Sequence, residues 1–251
     1  MPSRFFSFLK RVRWPGEYAI MGALQTIVEG GGGMAQQKPH RISIPHYSLS
    51  EELISSISHG VGALLGVAAL VLGLIKAGGD AWKIVSMSVF GFSLIFLYTM
   101  STLYHALKVN RAKRVFRVID HCSVFLLIAG TYTPYTLVSL RDTVGWYLFG
   151  AIWAAAIVGI TLNAVNLKRY AIASVICYLV MGWVVVLAYG QMAAAMEPLG
   201  ITLLIWGGVA YTVGAILYAI GSRRKYFHSI FHFFCLAGSL LHFFSIYLCV
   251  L

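Results

Sequence analysis

Apolar residues along this chain occur in long uninterrupted runs, with little alternation of apolar and polar positions. Seven such runs cover about residues 54–77, 84–107, 117–140, 144–165, 171–193, 199–220 and 227–250. An α-helix needs about 20 apolar residues to cross a bilayer, whereas a strand of a membrane barrel needs only about ten, in alternation. The pattern therefore predicts an all-α integral membrane protein that forms a bundle of seven transmembrane helices.

The composition agrees with this class and excludes a soluble domain. Hydrophobic residues make up 59% of the 251 residues, charged residues only 11%, and the mean hydropathy is +0.81. A soluble globular domain carries roughly 25% charged residues. We expect one membrane domain over residues 51–251, preceded by a cytoplasmic tail over residues 1–50.

Basic residues are concentrated in alternate connections between the predicted helices. Six precede the first helix, five follow the second, two follow the fourth and three follow the sixth, so that 16 of the 19 lie on one side. The other side has only Lys76, Lys83 and Arg141. Because cytoplasmic loops collect Lys and Arg, the N-terminus is expected in the cytoplasm and Leu251 outside a bacterial plasma (inner) membrane. The net charge of +11 then reflects membrane orientation and attraction to anionic lipid, and we expect no nucleic-acid partner.

The segment before the first helix has an unusual end. Residues 1–33 contain no apolar run long enough for a signal-peptide core, so we expect no cleaved signal. Residues 29–33, one Glu and four Gly, directly precede Met34. Glu and Gly codons are purine-rich, so the nucleotides that encode residues 29–33 can be a ribosome-binding site that is translated in frame. On this interpretation Met34 is the native start. A flexible tail with a glycine linker is the alternative.

Four ionisable side chains lie near the cytoplasmic ends of three different predicted helices: His105, Asp120, His228 and His232. Such groups are costly inside a spanning segment and usually functional. His228 and His232 are one turn apart on the same helix face and can bind one ion. Alone, such a pair is more often two interfacial or hydrogen-bonded histidines. With a third His and a carboxylate in the same leaflet, the pattern predicts a divalent metal site, and the expected metal is zinc.

Three neutral imidazoles and a water form an open tetrahedral site, which is typical of catalytic zinc. Such a metal lowers the pKa of its water and polarises a carbonyl. Asp120 is the candidate general base, bound to the metal directly or through the water; the alternative is a helix cap that pairs with Arg117. Ser101, one turn from His105, is a candidate donor to a developing oxyanion, or merely bonds to its own helix.

A second polar face recurs every four residues at the start of the first helix, and its members are Glu51, Ser55 and His59. This face can support the metal ligands through hydrogen bonds. The alternative is an ordinary interfacial helix start capped by Ser48 or Ser50.

Three other residues qualify this picture. His121 is adjacent to Asp120 and is expected to point elsewhere, while His242 should lie roughly 15 Å beyond His232, so neither is expected to be a ligand. Pro134 lacks a backbone N–H and is expected to kink the third helix near mid-membrane. Such a kink would help to open a cavity for an acyl chain, although kinks are also ordinary packing devices in membrane helices.

The polar residues form an ordered set of motifs: Glu51-x3-Ser55-x3-His59, Ser101-x3-His105 followed by Asp120, and His228-x3-His232. Over about residues 48–251 the chain resembles bacterial haemolysin III proteins of the progestin and adipoQ receptor family, which is related to membrane hydrolases that include alkaline ceramidases. The resemblance implies seven helices, zinc on the three His, Asp120 at the metal's water and, in eukaryotic relatives, hydrolysis of ceramide-like amides. The family often has Asn in place of Ser55, so the first motif departs from the pattern.

The function expected from the sequence is therefore zinc-dependent hydrolysis of lipid amide or ester bonds, with a membrane lipid as substrate. A non-enzymatic sensor or regulator of lipid or energy state, in which zinc only joins helices, is a second class. A cytolysin (haemolysin) or channel is a third. Clustering of the ionisable residues in one leaflet argues against this third class, because no polar path would cross the membrane.

Overall fold

The computed structural model describes residues 44–221 and 224–251, and their regular structure is entirely helical. Met34 and the tail before residue 44 lie outside the described residues. The helices are α1 Leu49–Lys76, α2 Ala81–Ala106, α3 Arg111–Pro134, α4 Gly145–Trp183, α5 Tyr189–Ala195, α6 Pro198–Gly221 and α7 Phe227–Cys249. A π-helical turn, Tyr135–Ser139, follows α3, and a 3-10 turn, Val184–Ala188, joins α4 to α5.

Within the described ranges, six stretches of helix are long and apolar enough to cross a membrane. Five of them coincide with the predicted helices one, two, three, six and seven. The predicted helices four and five both fall within one stretch of 51 residues, Gly145–Ala195. Large apolar side chains such as Leu64 and Leu187 face outward, at 72% and 84% exposure, as a lipid-facing surface requires. The chain is a multi-pass integral membrane protein.

The long stretch Gly145–Ala195 is interrupted at Asn166, whose φ of −156° and ψ of 84° are not helical. The Asn166 side chain accepts a hydrogen bond from the Arg169 N–H at 3.0 Å, as the N-cap of a new helix does. Beyond this residue, the Ser174 hydroxyl lies 2.6 Å from the Asn163 side chain. A continuous helix would separate these two residues by roughly 16 Å, so the chain turns back on itself at Asn166.

The helices pack in chain order, and α7 closes the arrangement by packing against both α6 and α1. The contact between α1 and α2 is close because small residues line the buried face of α1. At Gly73, for example, an added Cβ atom would lie 2.5 Å from the Met87 side chain. This closure brings the start of α1, the end of α2 and the start of α7 to the same end of the bundle.

Hydrogen bonds fix the relative position of α1 and α7 at that end. Ser48 and Glu51 form a reciprocal capping box at the start of α1. The Glu51 carboxylate also accepts the backbone N–H of Tyr226 at 2.7 Å. Tyr226 has a left-handed backbone, with φ of 67°, and directly precedes α7. Glu51 therefore takes part in the capping of α1 by Ser48, which was the alternative interpretation. The same carboxylate also binds the backbone at the beginning of α7.

The opposite end of the bundle contains the basic residues that the charge pattern places outside. The Lys76 ammonium donates to the Tyr247 carbonyl and the Lys83 ammonium to the Leu251 carbonyl. Both carbonyls belong to the end of α7, where cations also interact favourably with the helix dipole. Arg141 lies over the ring of Trp82 at 5.2 Å. These three exceptions to the charge asymmetry thus have structural contacts.

Pro134 is the last residue of α3, and the backbone continues into the π-helical turn Tyr135–Ser139. The predicted position of the kink, near mid-membrane, is therefore wrong: the helix type changes directly after the proline, toward the end of the span. Proline cannot donate a backbone hydrogen bond, and the wider turn accommodates that loss. Thr131 and Tyr135, on either side of Pro134, face a large internal cavity.

Candidate metal centre

The end of α2 and the beginning of α7 bring three histidines together. His105 occupies the last turn of α2, while His228 and His232 lie on one face of the first turns of α7. The Nε2 atom of His228 is 3.1 Å from the Nε2 atoms of both His105 and His232. Potential ligand atoms of all three lie within 4.8 Å of one another. The structure thus confirms the predicted convergence of these three side chains.

The geometry of this three-histidine cluster fits a metal ion. Tetrahedral zinc with Zn–N bonds of 2.0–2.1 Å holds its ligand nitrogens about 3.3 Å apart. The 3.1 Å separations are close to that value. His105 and His232 are only 2% and 1% exposed, and each has a ring nitrogen among the atoms that converge. Imidazole nitrogen suits zinc, copper, iron and nickel, so the cluster can hold a transition metal.

Asp120 lies well inside α3, because that helix begins at Arg111 with Asn110 as its N-cap. The alternative interpretation of Asp120 as a helix cap is therefore wrong. The helix begins at Arg111, several residues earlier than the apolar pattern predicts. The carboxylate is not among the atoms that converge within 4.8 Å. It faces the cavity beside the histidines, and the buried Ser101 hydroxyl interacts with it.

Glu52 is the site residue that sequence reasoning missed. Its Oε2 atom lies 2.7 Å from His105 Nδ1, and its Oε1 atom accepts a hydrogen bond from the Lys113 ammonium at 2.6 Å. Lys113 is only 2% exposed, although the apolar pattern places it in the connection between two predicted helices. A carboxylate on the far nitrogen of a ligand His fixes the ring orientation and raises its basicity. Spacing alone does not separate Glu52 from its neighbour Glu51.

The polar face of α1 supports α7 in three different ways. Glu51 binds the backbone that precedes α7, as described above. The Ser55 hydroxyl lies 3.2 Å from that of Ser229, the neighbour of His228. The His59 ring stacks on His232, with centroids 3.7 Å apart and an interplanar angle of 24°. These contacts position the ligand helix, and none of the three residues belongs to the converging cluster.

Tyr47, just before α1, covers the cluster from the end of the bundle. Its ring stacks on His228, with centroids 4.7 Å apart and an interplanar angle of 15°. Burial raises the pKa of the Tyr47 hydroxyl well above its usual value, so the side chain remains neutral. No apolar run or motif of the sequence singles out this residue.

A cavity of about 400 Å³ extends from the cluster into the bundle between α3, α4, α6 and α7. His232 and His242 both line it, and ten residues of helix correspond to roughly 15 Å. His121 also lines this cavity, and it does not belong to the converging cluster. Adjacent helical residues, such as Asp120 and His121, differ by about 100° in direction, and a cavity broad enough to border both can accept both.

The fold and the site together define a multi-pass membrane protein with a buried three-histidine cluster that can hold a metal ion. Residues 47–243 match the family described as Haemolysin-III related. The chain belongs to this family.

Relatives from bacteria and from mammals cover most of the chain. The "Hemolysin-3 homolog" of Bacillus subtilis (strain 168) is 40% identical over 202 residues, which is 80% of this chain and 94% of the relative. The "Hemolysin-3" of Bacillus cereus is 38% identical over 205 residues, or 81% and 93%. The human "Monocyte to macrophage differentiation factor" is 23% identical over 194 residues, or 74% and 78%.

Proposed function

We propose that this protein is a zinc-dependent hydrolase of amide or ester bonds in membrane lipids. The observation that carries the proposal is the convergence of three imidazoles at one end of a cavity within the membrane domain. A lipid has one polar linkage and a long apolar chain. The cluster suits the linkage, and the cavity beyond it suits the chain.

Zinc is the proposed ion because three neutral imidazoles leave a tetrahedral site with one open position. His105, His228 and His232 would hold it. When bound, zinc polarises a substrate carbonyl and lowers the pKa of a coordinated water. Glu52 would contribute by holding the His105 ring through its Nδ1 atom.

Asp120 is the proposed general base. A carboxylate oxygen of Asp120 would accept a proton from the attacking water and then deliver it to the leaving nitrogen or oxygen as the acyl bond breaks. Ser101 interacts with this carboxylate, which favours a role in holding Asp120 in place. As a second proposed role, the Ser101 hydroxyl would donate a hydrogen bond to the developing oxyanion.

The dimensions and lining of the cavity support a lipid as the substrate. Its volume of about 400 Å³ is within the range of small-molecule sites, which is about 300–1,000 Å³. Its lining consists mainly of aliphatic and aromatic side chains, such as Leu127, Val175, Leu179 and Phe231. These groups match an acyl chain, whereas a soluble polar substrate would leave them in contact with water.

We also propose seven membrane crossings with the N-terminus in the cytoplasm. The reversal at Asn166, with the hydrogen bond between Asn163 and Ser174, supports two crossings within Gly145–Ala195. Sixteen of the 19 basic residues then lie on the cytoplasmic side. On this topology the three-histidine cluster is in the cytoplasmic leaflet of the bacterial plasma membrane.

A second candidate is a regulator of membrane state in which zinc has only a structural role. The contacts of Glu52 favour it, because this residue on α1 links His105 on α2 with Lys113 on α3. A metal ion would extend that link to α7 through His228 and His232. In this case zinc would hold four helices together without any turnover.

The names of the two bacterial relatives suggest a cytolysin as a third class. We do not favour it, because the lining of the cavity is mainly apolar and its ionisable groups lie mostly at the cluster end. A conducting pore needs polar groups along its length. Measurement of conductance across planar bilayers with the purified protein tests this class separately.

Turnover tests the enzyme proposal. Zinc-loaded protein in detergent is incubated with ceramide-like and phospholipid substrates, and released fatty acid is measured by mass spectrometry. We expect release by the wild type and a loss of about 10²–10⁴-fold for Asp120→Asn, since this is the usual contribution of a general base. Equal release by wild type and variant, or no release across the lipid panel, would reject the enzyme and favour the structural-zinc regulator.

A further inference from the structure

We propose that Tyr218 on α6 is a further substrate-binding residue, whose hydroxyl donates a hydrogen bond to the carbonyl oxygen of the lipid. The inference deepens the proposed function and rests on it in one respect, namely that the lipid carbonyl lies beside the three-histidine cluster. Tyr218 is three residues before the end of α6 and lines the cavity. It belongs to none of the motifs in the sequence.

The ring of Tyr218 packs at the cluster end of the cavity. Its centroid is 5.7 Å from that of His228 and 5.2 Å from that of Phe231, both on α7. On α3, the ring of His121 is 6.5 Å away. All three neighbours also line the cavity. Tyr218 is therefore part of the cavity wall directly beside one of the three histidines.

The Tyr218 hydroxyl is available to a ligand. Within the described ranges it forms no hydrogen bond, and it retains accessible surface, unlike the unpartnered ring nitrogens of His59, which have almost none. The hydroxyl is nevertheless surrounded by protein atoms. Its accessible surface therefore faces an internal space, and the cavity that Tyr218 lines is that space.

The position of this hydroxyl matches that of the reacting carbonyl. It lies within electrostatic range of the Asp120 carboxylate. Asp120 is on α3 and Tyr218 on α6, so the two groups approach the space beside the cluster from different helices. A carbonyl carbon attacked by a water that Asp120 deprotonates must lie in this space, with its oxygen within reach of a donor on the wall.

Other hydroxyl groups near the cluster already have acceptors. The Tyr178 hydroxyl donates to the backbone carbonyl of His121 at 2.7 Å. Ser101 interacts with the Asp120 carboxylate, which accepts and cannot donate when it is ionised. While Ser101 donates to that carboxylate, its hydrogen is not available to the lipid. Tyr218 supplies a donor that has no such commitment.

A free donor at this position suits the charge that develops during acyl transfer. As water adds to the carbonyl carbon, an electron pair of the C=O bond moves onto the oxygen, which becomes negative. A hydroxyl that already faces this oxygen stabilises the charge through a hydrogen bond and keeps its own proton. Loss of one such donor usually lowers the rate about 10²–10³-fold.

Equilibrium binding of a carbonyl analogue tests this role without turnover. Zinc-loaded full-length protein in detergent is titrated with a long-chain alkyl trifluoromethyl ketone, whose hydrate resembles the tetrahedral intermediate, and with the trifluoroalkane of equal length, which has no oxygen. We expect the wild type to bind the ketone more tightly. Tyr218→Phe should weaken ketone binding about 10- to 100-fold, the usual effect of one hydrogen bond to a charged group, and leave trifluoroalkane binding within a few-fold.

Tyr218→Phe keeps the ring beside His228 and leaves no protein group without its partner, so the variant should fold and retain zinc. The matched control is Tyr211→Phe, on the same helix and in the same cavity, whose hydroxyl lies 2.5 Å from that of Ser239. It should bind the ketone within a few-fold of the wild type.

The outcomes separate this role from the proposed function. Ketone binding that persists in Tyr218→Phe, or an equal loss in Tyr211→Phe, would overturn the role of Tyr218 and leave the proposed hydrolase intact. Loss of zinc from Tyr218→Phe would also overturn it, because the residue would then support the cluster structurally. A wild type that binds the ketone no more tightly than the trifluoroalkane would reject both the role and the proposed function.

Discussion

Glu52 on α1 orients His105 on α2, with its Oε2 atom 2.7 Å from the ring's Nδ1 atom. Because the carboxylate holds that nitrogen, the opposite nitrogen, Nε2, faces His228 at 3.1 Å. The second oxygen of Glu52 is bound by the buried Lys113 ammonium. Glu52, which lies outside the histidine motifs, thus links three helices and fixes the orientation of the His105 ring.

Replacement of Glu52 tests this relationship. Glu52→Gln keeps the shape of the side chain but removes the charge that faces His105 and Lys113. We expect the affinity for zinc to fall about 10- to 100-fold, which is typical for loss of a carboxylate behind a ligand histidine. The measurement is a competition titration of purified protein with a zinc chelator.

The neighbouring residue supplies the control. Glu51→Gln changes the same functional group on the same helix, but Glu51 contacts the capping serine and the Tyr226 N–H, not a ligand ring. Its zinc affinity should remain within a few-fold of the wild type. Equal losses in both variants would show that helix position, and not the Glu52–His105 contact, determines the affinity.

Tyr47 should slow the exchange of a bound metal, because its ring covers His228. Tyr47→Phe keeps the stacked ring, whereas Tyr47→Ala removes it. We expect near wild-type release of zinc to excess chelator for the first variant and release up to about tenfold faster for the second, in line with the energy of an aromatic pair. Stopped-flow release kinetics measure this, and identical rates for all three proteins would disprove the covering role.

The fold and the cluster were accessible from sequence for a physical reason. Spanning helices must be long and apolar, so their order and approximate ends follow from hydropathy. Ionisable residues in such segments are rare, which isolated His105, His228 and His232 from the background. Because all three lie near the same end of the bundle, the packing of α7 against α1 brings them together.

Other features depended on packing that periodicity does not encode. Glu52 and Glu51 are adjacent at a helix start, and only the approach of α2 shows which one reaches a ligand. His121 faces the cavity beside Asp120 because the space between helices is broad. The single non-helical residue Asn166 lies between the fourth and fifth predicted helices, but the apolar pattern does not show that helical structure continues on both sides of it without a loop.

The number of crossings determines the location of the C-terminus. Seven crossings place Leu251 on the side opposite the N-terminus, whereas six would place both on one side. We expect reporters fused after Leu251 and inserted near Glu197 to be active only outside, and one inserted near Lys168 only in the cytoplasm. A cytoplasmic signal from the fusion after Leu251 would contradict the reversal at Asn166 as a membrane re-entry.

The contact between Ser101 and Asp120 predicts unequal effects on turnover. Ser101→Ala removes a hydroxyl that interacts with the carboxylate but leaves the proposed base in place. We expect a smaller decrease in the rate of fatty-acid release than for Asp120→Asn, with zinc content unchanged in both variants. A loss for Ser101→Ala as large as that for Asp120→Asn would instead favour direct oxyanion stabilisation by the hydroxyl.

The metal content of the purified protein tests the central claim most directly. Elemental analysis should find about one zinc per chain, and each of His105→Ala, His228→Ala and His232→Ala should lose it, because two imidazoles bind the ion far more weakly than three. His242→Ala, a buried histidine further along α7, is the matched control and should retain the metal. Equal zinc content in the wild type and in all three cluster variants, or loss of zinc in His242→Ala alone, would contradict the assignment of the three-histidine cluster as the metal site.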